Sequence, residues 1–322
     1  MREFNRKAWL AAVAVLGAVA MSVAVAPTAA SAAPSCFGKP ATITGAGAID
    51  GTAGNDVIVG STGDDVIDGK SGNDLICALA GDDVVQGGSG NDGIDGGAGS
   101  DFMNGDVLSF GAVDLTCTAG NDLLLGGPGV DFIAGDCTVE NEDRAIGHIS
   151  GAGGNDKIFG GEDTDLMAGD HNGNYVSATG GNDVIDGGPG DDFANGDSLS
   201  VFLVSGASGS DIITGSDGSD YLTGDSGVFT CEGVITADAG NDVIRGGAGD
   251  DGPLIGDHNA HCGVPSGHSG NDSLFGDDGD DQLHGDNFTD LGNFDSGDGR
   301  DSCNGGAGTD TAALCESIVG VP

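Results

Sequence analysis

Between Gly87 and Asn104 the chain reads GGSGNDGID and then GGAGSDFMN, two nine-residue units in tandem. Each follows the pattern G-G-x-G-x-D-x-U-x, where U is a large apolar residue, Ile94 in the first unit and Met103 in the second. A period this short leaves few folds open. The glycines permit positive φ, which a chain reversing direction every few residues requires. The last three residues of each unit suffice for one short strand, whose middle side chain points to one face while its neighbours point to the other. U therefore packs inward and its flanking residues face solvent. No single unit closes a core, so successive units must stack into a solenoid.

The lattice runs almost the whole length of the chain. Six units follow one another without interruption, their G-x-D triplets starting at Gly54, Gly63, Gly72, Gly81, Gly90 and Gly99. Units then come in pairs, starting at 120 and 129, 154 and 163, 181 and 190, 209 and 218, 240 and 249, 270 and 279, and 299 and 308, with insertions between pairs. Every insertion follows an even-numbered unit and opens with the same dipeptide: Gly105-Asp106, Gly135-Asp136, Gly169-Asp170, Gly196-Asp197, Gly224-Asp225, Gly256-Asp257 and Gly285-Asp286. If two units make one coil, all insertions leave from one edge and should stack into a lateral layer. Odd units mostly carry Asn before the sixth-position Asp, whereas even units often carry Asp there. The two edges thus differ chemically.

Twenty such units in register resemble the RTX (haemolysin-type) calcium-binding repeat family. The resemblance implies an all-β fold: a right-handed parallel β-roll, or β-helix solenoid, of nonapeptide repeats over about 54–313. Loop insertions would leave one edge from 106 onward, after a lead-in over 33–53 and before a C-terminal cap over 314–322. It also implies several calcium ions between neighbouring turns, held by sixth-position aspartates and turn carbonyls. The donor chemistry agrees, since calcium takes six to eight oxygens in a forgiving geometry. On the uninterrupted edge the implied ligands are Asp65, Asp83, Asp101, Asp131, Asp165, Asp192, Asp220, Asp251, Asp281 and Asp310, expected to form the main column. On the interrupted edge Asp56, Asp74 and Asp92 are expected to bind, because no insertion intervenes there. Asp122, Asp156, Asp183, Asp211, Asp242, Asp272 and Asp301 keep the family position, but their preceding turn residues come from insertions. Three further departures stand out. Ala78-Leu79-Ala80 replaces G-G-x before Gly81, Asp163 replaces a fourth-position Gly, and the text after Asp251 is one residue too long, which predicts a bulge.

Composition agrees with a thin aliphatic stack: 65 Gly stand against 12 Phe, 2 Tyr and 1 Trp. The formal net charge is -43, which argues against nucleic acid or an anionic membrane as partner. The aspartates recur at one repeat position, and this points to a cation rather than to simple solubility. A basic start (Arg2, Arg6, Lys7), an apolar run from Ala8 to Ala26 and the A-x-A triplet Ala30-Ser31-Ala32 read as a secretory signal peptide over 1–32. The expected destination is extracellular, and no later segment is long and apolar enough to span a bilayer. Eight cysteines fit an oxidising compartment. Coils stack about 4.8 Å apart, so sequential pairing of Cys36 with Cys77, Cys117 with Cys137, Cys231 with Cys262, and Cys303 with Cys315 is feasible.

Catalytic signals are weak. Gly196-Asp197-Ser198-Leu199-Ser200 spells the GDSL block of a hydrolase family, and Gly224-Asp225-Ser226-Gly227 resembles a protease nucleophile block. Both sit where the insertion lattice places a Gly-Asp anyway. His258, His261, His268 and Cys262 share one insertion and form a donor set that zinc accepts, although a polar loop with Cys262 in a disulfide explains them better. The sequence therefore predicts a secreted, non-enzymatic calcium-binding roll. A calcium-stiffened adhesion protein that presents its stacked insertions is the alternative.

Overall fold

The computed structural model describes residues 33–110, 114–140, 148–228, 230, 233–260, 265–289 and 299–321. The leader expected over 1–32 and the Cys231–Cys262 pairing lie outside them. Among the described residues all regular structure is strand.

Odd units build one face. Val57–Val59, Leu75–Ala80, Gly93–Ala98, Leu123–Pro128 and their successors lie side by side in a parallel sheet of 12 strands, which starts with Ile43–Thr44 and closes with Ser317–Val319. Even units build a second parallel sheet of 11 strands, from Ala48–Asp50 to Thr311–Ala313. Val57 pairs with Leu75 and Val66 with Val84, so one coil consumes 18 residues, two units, wherever no insertion intervenes. The U positions of both faces meet in one continuous column. Ile58, Ile76, Ile94, Leu124 and Ile158 from the first face pack against Ile67, Val85, Met103, Ile133 and Met167 from the second, all essentially inaccessible to solvent.

The insertions form a third sheet. Leu108–Phe110, Thr138–Glu140, Asn172–Thr179, Leu199–Ser205, Gly227–Val228, Asn259–Ala260 and Phe288–Thr289 stack in parallel. The returning segments Leu115–Thr118, His148–Ala152 and Val234–Ile235 complete it. It has small cores of its own, one around Cys137, Val139, Ile149 and Val176 and another around Val204, Val228 and Ile235. This layer corrects one expectation. Strand residues after U do not all face solvent: Asn104, Ala134, Ala168, Asn195 and Thr223 are buried, because the chain turns there into the insertion layer. Near the start Val57 and Val59 are buried too, covered by the antiparallel pair Ser35–Cys36 and Lys39–Pro40, which Cys36 ties to Cys77 at a Cα separation of 5.6 Å. Cys117–Cys137 and Cys303–Cys315 are likewise bonded, across Cα separations of 6.2 and 6.0 Å.

The departures from the repeat are absorbed locally. Leu79 takes φ 89° and Asp163 takes φ 80°, so both adopt the left-handed turn that glycine holds elsewhere. After Asp251 the Gly252–Pro253 peptide is cis, and Leu254 resumes the register opposite Leu222.

Candidate metal centre

Each turn between faces places its sixth-position Asp at the start of the next strand, pointing into the stack. The N–H of Asp56 donates to Asp74 Oδ1 at 2.7 Å, that of Asp74 to Asp92, and that of Asp92 to Asp122. The bond is repeated coil by coil along this edge until Asp272 donates to Asp301. The other edge carries the same ladder: Asp65 to Asp83, Asp83 to Asp101, Asp101 to Asp131, and on through Asp165, Asp192, Asp220, Asp251 and Asp281 to Asp310. The fifth-position side chains add an outer ladder running the other way, with Asn73 N–H donating to Asn55 Oδ1 on one edge and Asp82 N–H to Asp64 Oδ1 on the other. One carboxylate oxygen per Asp therefore fixes the spacing of the coils.

The second oxygen has no such task. Oδ2 of Asp74, Asp83, Asp92, Asp101, Asp131, Asp165, Asp192, Asp220, Asp251, Asp281 and Asp310 is buried without a hydrogen-bond partner. The same holds for Asp122, Asp156, Asp183, Asp211, Asp242, Asp272 and Asp301. An unsatisfied buried carboxylate oxygen costs several kcal/mol unless a cation or proton meets it. Asp56 and Asp65, at the first coil, differ: each Oδ2 accepts a 2.7 Å bond from a local N–H, of Thr52 and Ser61 respectively.

Carbonyl oxygens converge on the same points. A Cβ built on Gly126 would collide with both Asp131 Oδ2 and the carbonyl of Gly160 in the next coil, and one on Gly160 with Asp165 Oδ2 and the carbonyl of Gly187. Glycine is required here because oxygens occupy the space a side chain would take. The turn at Asp83 keeps its ladder bonds despite Ala78-Leu79-Ala80, the carbonyl of Ala78 lying 2.6 Å from the Cβ position of Gly60.

Burial raises these carboxyls, and neighbouring carboxylates push most of them further while backbone N–H groups oppose. Asp131 and Asp165 rise to about 8, Asp83, Asp220 and Asp251 to about 7, Asp101 and Asp192 to about 6. Asp74 and Asp281 move in the same direction. On the interrupted edge Asp92 and Asp156 rise to about 7 and Asp122 to about 9. Such groups shed their protons readily only when a cation shares the space. Among the described residues Lys70 and Arg245 bridge to Asp50 and Asp277, outside the two ladders.

The repeat pattern decides the lineage. The family model described as "RTX calcium-binding nonapeptide repeat (4 copies)" matches residues 44–76, 78–107, 118–136, 147–170, 172–199, 203–228, 234–252, 266–291 and 294–312. The chain belongs to the RTX calcium-binding repeat family. No curated protein matches it. RTX repeats bind calcium, and the buried aspartate clusters of this chain fit metal sites. No helix among the described residues is long and apolar enough to cross a membrane.

Sequence reasoning missed one set of residues. The Asp opening each insertion turns back onto the roll: Asp106 Oδ2 accepts the N–H of Gly120 at 2.9 Å, Asp136 Oδ2 that of Gly154 at 3.0 Å, and Asp225 Oδ1 that of Gly240 at 2.8 Å. These aspartates are buried against the interrupted edge, which thus carries two carboxylates per coil where insertions occur. The recurring Gly-Asp dipeptide was the available signal. The serines of the two hydrolase-like blocks are buried in the same stack, Ser198 N–H donating to Ser226 Oγ at 3.2 Å. Of the histidine cluster, His261 and Cys262 lie outside the described residues, and His258 Nε2 sits 3.2 Å from the carbonyl of Ala237.

Proposed function

We propose that this chain is a secreted, non-catalytic calcium-binding rod that folds as it loads calcium. The buried, partnerless Oδ2 repeated down both edges carries the reading. On the uninterrupted edge Asp83, Asp101, Asp131, Asp165, Asp192, Asp220, Asp251, Asp281 and Asp310 hold the ions together with turn carbonyls, with Asp65 at the head of the column. On the other edge Asp74 and Asp92 do the same, with Asp56 at the head of that column. Bound calcium neutralises the carboxylates and satisfies the oxygens the ladder leaves over. Ion-free, the chain is an expanded polyanion with a formal charge of -43. A ligand that binds only the folded form stabilises it by mass action, so millimolar extracellular calcium turns the polyanion into a rod. The leader expected over 1–32 and the disulfides support export to an oxidising, calcium-rich compartment.

The test is an ion count. The secreted chain, stripped with chelator and dialysed against calcium or magnesium, should retain several calcium ions and far less magnesium, which demands a stricter octahedral geometry. Retention of neither ion would remove the proposal.

A further inference from the structure

At the interrupted edge the insertion aspartates meet the repeat aspartates. One ligand oxygen each from Asp106, Asp122 and Asp136 lies within 4.8 Å of the other two, and so do oxygens of Asp136, Asp156 and Asp170. All five residues are at most 3% exposed. Oδ1 of Asp106 and of Asp136, and Oδ2 of Asp122 and of Asp156, are buried without a hydrogen-bond partner. For Asp106 and Asp136 a structural role, closing the loop on the returning Gly, uses only one oxygen. The other is left facing further carboxylates. His171, fully buried beside them, has neither ring nitrogen hydrogen-bonded, and its Nδ1 stands 3.8 Å from Asp136 Oδ2.

We propose that the interrupted edge holds a column of divalent, oxygen-seeking cations, each bound by three carboxylates: one repeat Asp and the opening Asp of two successive insertions. This deepens the calcium-binding reading and rests on it. The charge balance is simple. Each inserted coil adds two carboxylates to this edge, and each divalent ion supplies two positive charges. The uninterrupted edge adds one ladder carboxylate per coil. Calcium sites tighten as ligand charge increases, so the inserted edge fills first. The insertion therefore does not weaken the repeat site it interrupts: it brings a new ligand to replace the turn residues it displaces.

Asp136 belongs to both triads, and Asp136→Asn preserves its shape and its acceptor for Gly154 N–H. Calcium bound to the secreted chain is counted after desalting, with the strand signal in saturating calcium as the folding control. The variant should keep the strand signal and retain two fewer tightly held ions than the parent. An unchanged tight-ion count would overturn the proposal. If the variant does not fold, crystals of the parent grown with strontium provide the second arm. Anomalous density amid Asp106, Asp122 and Asp136 is expected. Density on the uninterrupted edge alone would overturn this proposal and leave the calcium-binding reading standing. A parent chain that binds no ion at all would overturn both.

Discussion

Asp131→Asn should stabilise the calcium-free protein and weaken the calcium-loaded one. Asp131 is 1% exposed; its Oδ1 accepts the N–H of Asp101 at 2.8 Å, and its Oδ2 has no partner. Burial, with the charges of neighbouring aspartates, pushes its carboxyl from 3.8 to about 8. At about 1.4 kcal/mol per unit, ionising it in the calcium-free fold costs on the order of 5 kcal/mol. A few such groups equal the whole stability of an ordinary domain, about 5–15 kcal/mol. Asparagine keeps the Oδ1 acceptor and cannot ionise. In chelator the variant should therefore keep its strand signal to a higher pH than the parent. In calcium the order reverses: one lost site removes about 2.7 kcal/mol when the ion stands at about 100 times its Kd. Far-UV circular dichroism, followed against pH in chelator and against urea in calcium, reads both signs. A variant less stable than the parent in chelator, or equally stable in calcium, would refute the argument.

Four further outcomes follow from the same geometry. Ile158→Ala, in the middle of the U column with 0% exposure, should cost about 2–5 kcal/mol in saturating calcium, read as a lower urea midpoint. Replacing Cys117 and Cys137 by serine opens a link across 20 residues of sequence and should cost about 3 kcal/mol, read as a lower Tm of the calcium-loaded protein. The raised carboxyls fix the pH dependence of the calcium-free form. Their folded pKa values exceed the unfolded one, so the stability they contribute is fully present below about pH 3.9 and is lost as pH rises through about 6 to 8. Calcium-free protein should thus keep its strand signal at pH 5 and lose it by pH 8. Adding calcium at pH 5, where the calcium-free roll is still folded with those carboxyls protonated, should release protons, measurable with an indicator dye in weak buffer; uptake of protons would contradict the assignment.

Much of the fold was legible because the physics repeats every nine residues. The U residues Ile58, Ile67 and Ile76 announced the core, and the pairing of odd with odd and even with even units followed from insertions falling after every second unit. The ladder aspartates were legible for the same reason. Other features depended on contacts between distant segments, which no period encodes. Nothing near Asn104 or Thr223 says that the residue after U will be covered, because the cover comes from a third sheet whose strands differ in length from one insertion to the next. The role of Asp106 and Asp136 was hidden in plain text. Their dipeptide recurs, but only the return of each insertion to Gly120 or Gly154 brings their carboxylates against Asp122 and Asp156. Leu79 in a left-handed turn shows the converse: the surrounding coils impose a conformation that the residue alone would resist.

The most direct test of the account is a calcium titration of the chelator-treated secreted chain at pH 7.5, followed by far-UV circular dichroism, with magnesium as control. The account predicts little strand signal at the start, a cooperative rise with calcium, and no comparable rise with magnesium. A chain already fully folded in chelator and indifferent to calcium would contradict it, and would mean that the disulfides and the aliphatic column hold the roll without the ions.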